Sequence, residues 1–244
     1  MAEKERLIRD ILWDDCENDD PPKIQTEIIK IAQGFHVQGM SSERLPDGRY
    51  TWSLTTAFAK LLRDAQDAYG PRDRSFNFIG FHFCGPYACL ERYKWGSPGD
   101  IIIVLPEGAC FNLDKACFNL AHEVIHFLSP SIGTPVTVFE EGLATVFMNT
   151  QSRRNNWFYY HKENDGPYGA AAFLVQSVLD KYPMAVSDLR QSKPRFSDWI
   201  ADDLANLVGT NTISYDEIEQ LCQPFNEWKK KFLPLTPSDW LLGN

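Results

Sequence analysis

An α+β fold, with a small mixed α/β lobe followed by a helical lobe, is predicted by three observations. Two β-rich runs, Ser75 to Cys84 and Ile101 to Leu105, lie close together in the first half of the chain. From Asn112 onward apolar residues fall mainly at helical spacing. No internal repeat or low-complexity segment suggests another architecture. The lobes divide near residue 110, into 1–110 and 111–244, and 244 residues suit one large domain or two small lobes around one cleft.

The elements follow in chain order. Residues 2–13 and 23–33 have helix-like apolar spacing, as in Ile24, Ile28, Ile29 and Ile31, and the acidic, Pro-bearing stretch Asp14 to Pro22 separates them as a loop. Ser53 to Tyr69 reads as a helix that starts at a Ser cap and stops at Gly70-Pro71. Ser75 to Cys84 reads as a strand. A Gly/Pro-marked hairpin or loop with Tyr87, Tyr93 and Trp95 comes next. Ile101 to Leu105 is an unbroken β-branched run and is expected to be the sheet edge that borders the cleft. Helices are predicted over Leu113–Leu128, Thr137–Met148, Tyr168–Tyr182, Ser197–Val208 and Ser214–Phe232.

Composition narrows the function classes. Apolar residues make up 43% of the chain and aromatics 13%, enough for a sizeable core. The net charge of −9 repels phosphate backbones, so nucleic acid is not an expected partner. No apolar run has the length of a membrane span or the form of a signal peptide, which predicts a cytoplasmic protein with no membrane partner. The six cysteines include no C-x-x-C pair. A zinc ribbon is therefore not expected, and buried free thiols are.

The chemistry is concentrated between residues 121 and 144. Ala121 to Phe127 reads A-H-E-V-I-H-F on a predicted helix. Residues four apart share a helix face, so His122 and His126 can put two imidazole nitrogens on one zinc ion. Glu123 stands one step round the helix, where it suits a general base acting on water that the metal polarises. A catalytic zinc needs a third protein ligand and an open fourth position. Glu140 and Glu141, in F-E-E-G-L-A on the next predicted helix, can supply it, since Pro130, Gly133 and Pro135 can turn the chain back between the two helices. The otherwise apolar surroundings of these carboxylates call for a partner. His82, between Phe81 and Phe83, reads as a strand histidine rather than a ligand.

H-E-V-I-H followed by E-G-L-A resembles the gluzincin metallopeptidases, which include the thermolysin-like and aminopeptidase-N-like enzymes. The resemblance covers residues 101–182 and implies a zincin-like fold with the active site in the cleft between the lobes. In the aminopeptidase-N-like enzymes the third zinc ligand opens an E-G-F-A segment. By that match Glu141, directly before Gly142-Leu143-Ala144, is the ligand rather than Glu140. Those enzymes also carry a Pro-Tyr pair at a helix start, whose phenol stabilises the oxyanion. Pro167-Tyr168 is similar and implies that role for Tyr168. The thermolysin-like enzymes use a histidine instead, which makes His161 the second candidate. Cys222 to Trp228 also resembles the end of gluzincin helical lobes.

The chain departs from the pattern at three points. The gap between H-E-V-I-H and E-G-L-A is shorter than in the aminopeptidase-N-like group. No G-A-M-E-N-type segment precedes the zinc helix. Thr145 stands where thermolysin-like enzymes have the Asp that orients the first histidine. The expected function is a zinc-dependent metallohydrolase, a peptidase acting on peptide or protein substrates with Zn2+ as cofactor. The alternatives are a binding or regulatory module on the same scaffold, and a non-peptidic zinc amidase.

Overall fold

Four phenylalanines from three segments organise the N-terminal part of the fold. In the computed structural model, which describes residues 54–109, 112–157, 166–209 and 213–232, Phe58 meets Phe78 at 4.3 Å, Phe81 at 6.0 Å and Phe127 at 5.5 Å between ring centroids. Such pairs add to the stabilisation that burial of the rings already gives. Phe58 lies on α1 (Leu54–Tyr69), whose buried face is Leu54, Ala57, Phe58, Leu61 and Ala65. That spacing is one stripe of an amphipathic helix. Phe78 and Phe81 lie on β1 (Asn77–Phe83), and Phe127 on α2 (Leu113–Leu128). Arg72 fastens the same corner. Its guanidinium lies 5.6 Å from the Phe127 ring centroid and donates to the Phe76 carbonyl at 2.6 Å.

The sheet has three strands among the described residues, in the order β1, β3 (Asp100–Leu105), β2 (Cys89–Arg92). β1 runs parallel to β3, with Phe81 opposite Ile103 and His82 opposite Val104, and β2 runs antiparallel to it. This corrects the expectation that residues 101–105 form the sheet edge: β3 is the central strand. The physical reason lies in the run itself. Five consecutive buried residues, Ile101 to Leu105, are covered on both faces, the near-continuous apolar run of a strand inside the fold rather than at its surface. Among the described residues the two edges are β1 and β2; β2 falls in the stretch expected to be a hairpin or loop, and its last two residues, Glu91 and Arg92, are exposed.

Helices α2 and α3 (Val138–Asn155) follow, then α4 (Pro167–Lys181), α5 (Ala185–Ser192), α6 (Ala201–Val208), α7 (Tyr215–Leu221) and α8 (Phe225–Trp228). The described chain is therefore mixed α+β and mostly helical. None of these helices is long and apolar enough to cross a membrane. The chain divides into two compact units, Met1–Ile132 with Phe147–Tyr159, and Gly133–Val146 with Tyr160–Asn244. α2 belongs with the sheet because Phe127 joins the phenylalanine cluster of α1 and β1.

Other element predictions differ in instructive ways. α3 runs seven residues beyond Met148 because its polar end has partners: Gln151 donates to Asp64 at 3.1 Å, and Lys60 donates to Asn155 at 3.2 Å. It stops at Asn156, in the left-handed region at φ 54°, and the Trp157 amide bonds back to the Ser152 carbonyl at 3.0 Å. α5 was not expected from A-V-S-D-L-R-Q-S. It is held by Tyr182 donating to Asp188 at 2.5 Å and by the buried Arg190, which donates to the Pro194 carbonyl at 3.2 Å. The helix expected over 214–232 is divided at Pro224, which has no amide hydrogen to continue it. The helices predicted over 2–13 and 23–33 lie outside the described residues.

Candidate metal centre

The local sequence fixes α2 firmly. Asn112 caps it, accepting from the Lys115 amide at 2.9 Å, and its far end closes where the Ser129 amide bonds to the His126 carbonyl. Along its last two turns Ala121, Val124, Ile125, Phe127 and Leu128 are all buried. Within this apolar setting sit three polar side chains. Glu123 is 3% exposed, His126 is buried and His122 is half-buried. The two imidazole rings lie 5.0 Å apart between centroids.

α3 supplies the carboxylate. Thr137 caps it, its hydroxyl accepting from the Glu140 amide at 3.2 Å and its carbonyl from the Glu141 amide at 3.1 Å. Glu140 is completely buried and Glu141 half-buried. His122, His126 and Glu141 each offer one ligand atom, and these atoms all lie within 4.8 Å of one another. Among the described residues this is the group able to hold a metal ion, and Glu140 does not belong to it. Two imidazoles and a carboxylate are the donor set that catalytic zinc accepts, so the residues present fit that ion.

Gly142 explains why glycine follows the carboxylate. A Cβ at Gly142 would lie 2.5 Å from the Ala171 carbonyl oxygen and 2.7 Å from its carbon. α3 and α4 therefore touch backbone to backbone one residue after Glu141, and only glycine allows it. Gly142→Ala is expected to destabilise the fold by about 1–3 kcal/mol, the usual cost of overpacking. Urea unfolding measures this, and an unchanged midpoint would show that the two helices do not approach so closely.

Tyr168 stands one turn before Ala171 on α4, which starts at Gly166, with φ 82°, and Pro167. It is half-buried, and its ring lies 4.9 Å from that of Phe225. His161 lies outside the described residues. Thr145 is buried and its hydroxyl donates to the Glu141 carbonyl at 2.9 Å. His82, read as a strand histidine, is on β1 outside the metal-capable group, and its Nδ1 lies 3.7 Å from the Cys84 sulfur. Burial holds its pKa below the usual histidine value.

Sequence reasoning missed β2 as part of the surroundings of Glu123. Burial first, then the Glu91 and Glu123 carboxylates, push the Cys89 thiol up to about 12. Cys89 therefore stays a thiol at neutral pH. Cys89-Leu90-Glu91-Arg92 shows no apolar–polar alternation, and four residues are too few to separate a short strand from a loop. Cys84, Cys89, Cys117 and Cys222 are free, but of these only Cys117 is buried, where buried thiols were expected; Cys16 and Cys110 lie outside the described residues.

Compared with family models, with curated proteins and with solved structures, the chain matches none.

Proposed function

We propose that this chain is a gluzincin-like zinc peptidase on a zincin-like fold. The observation that carries the reading is the grouping of His122, His126 and Glu141 within 4.8 Å, with the buried Glu123 next in sequence to His122. Among the described residues the group has three members, the number that leaves a coordination position open for chemistry. A structural zinc site would be closed by a fourth.

Zinc held by these three residues supplies Lewis acidity, polarising a carbonyl and bringing the pKa of water to about 7. The protein's own groups do the rest. Glu123 accepts a proton from the attacking water and returns it to the leaving amine. Tyr168 donates to the oxygen on which negative charge develops. β2 is the strand with which an extended substrate pairs, since among the described residues it is one of the two sheet edges and its Cys89 feels the Glu123 charge.

The test is hydrolysis of a mixture of internally quenched fluorogenic peptides by the purified full chain. Activity is expected to disappear on treatment with a chelator and to return on adding back one equivalent of zinc. Hydrolysis that survives complete removal of the metal would end the reading.

A further inference from the structure

Gln223-Pro224-Phe225 links two parts of the proposed site. Its backbone clasps the chain just ahead of α3. The Val138 amide donates to the Gln223 carbonyl at 2.9 Å, and the Phe225 amide donates to the Val136 carbonyl at 2.8 Å. Thr137 and Pro224 face each other between these bonds as an antiparallel bridge. Thr137 is the residue that caps α3, one turn before Glu141. The side chain of Phe225 reaches another helix. Its ring lies 4.9 Å from that of Tyr168, with the planes inclined at 53°.

Phe225 is itself firmly held. It is buried, Trp228 lies 5.9 Å from it, and the Lys229 ammonium sits 5.6 Å from its ring centroid. It therefore offers Tyr168 a fixed surface rather than a mobile neighbour. A tyrosine on the first turn of a helix can swing its phenol through several ångströms by changing side-chain rotamer. Packing between α3 and α4 at Gly142 sets the helix backbones, but it does not set that rotamer.

We propose that Phe225 is a positioning residue, fixing the ring of Tyr168 relative to the start of the helix that carries Glu141. The inference rests on the peptidase reading. Its energetic basis is the narrow tolerance of oxyanion donors, which work at about 2.7–3.1 Å. A misplacement near 1 Å can cost up to about 100-fold in rate. The clasp on α3 is made by main-chain atoms, so Phe225→Leu removes the ring contact and keeps the clasp.

The experiment places 3-fluorotyrosine at position 168 and follows its 19F resonance in the full chain. The wild-type resonance is expected to be displaced by the Phe225 ring current, and Phe225→Leu should move it toward that of the free amino acid. With the fluorogenic peptides, Phe225→Leu should lower kcat about tenfold, with KM and zinc content unchanged. Tyr168→Phe should lower kcat by about 100- to 1,000-fold. The double variant should be no slower than Tyr168→Phe alone, because both changes remove one function. If Phe225→Leu does not fold, Phe225→Met makes the same comparison with a side chain that fills irregular space. A fluorine resonance indifferent to residue 225, or a double variant that loses the full product of the two single effects, overturns the proposal. A zinc-loaded wild type that hydrolyses nothing overturns the peptidase reading instead, and the fluorine shift then still decides whether Phe225 sets the ring.

Discussion

Glu123→Gln is expected to abolish hydrolysis while leaving the metal in place. The carboxamide has nearly the shape of the carboxylate, so the packing around this buried position on α2 should survive. What it lacks is the capacity to take up a proton at the operating pH. A positioned general base contributes about 10²–10⁴-fold, so kcat should fall by that factor or disappear into background. Zinc content should not change, because the metal-capable group is His122, His126 and Glu141. Metal analysis and peptide hydrolysis on the same sample give the answer. Full activity in a zinc-loaded Glu123→Gln variant would remove Glu123 from the mechanism; loss of zinc would show that it helps hold the metal.

The site was more legible in the sequence than the fold around it, and the difference is one of range. α2 could be read from end to end because everything that defines it is local: the Asn112 cap, the apolar spacing, and Ser129-Pro130 at its close. Two histidines four apart on a helix are neighbours by geometry alone. Glu141 needed more, since the chain must return through a loop, and the choice between Glu140 and Glu141 rested on resemblance. The order of the strands depends on long-range pairing. The all-apolar run Ile101 to Leu105 shows burial on both faces but not which strands flank it. α5 was hidden because its stabilising contacts, Tyr182 to Asp188 and Arg190 to Pro194, join polar side chains that look like surface in a linear reading. The clasp between Val136–Val138 and Gln223–Phe225 spans more than eighty residues, and no local pattern announces it.

The metal ligands offer the second large effect, and the two adjacent glutamates make it discriminating. His122→Ala, His126→Ala and Glu141→Ala should each reduce zinc from about one per chain to little or none after gel filtration. Changing a residue that merely orients a ligand typically costs 10–100-fold in metal affinity, so deleting a ligand should cost more than about 100-fold. Glu140→Ala should behave in the opposite way. It should keep its zinc, because Glu140 lies outside the metal-capable group, and it should unfold more easily, because truncating a completely buried side chain leaves a cavity. Thermal unfolding with and without zinc separates the two classes. A ligand present at about 100 times its dissociation constant stabilises the folded state by about 2.7 kcal/mol, so zinc should raise the melting temperature of the wild type and of Glu140→Ala. It should not raise that of the three ligand variants. If Glu141→Ala retained stoichiometric zinc and Glu140→Ala lost it, the carboxylate assignment would pass to Glu140.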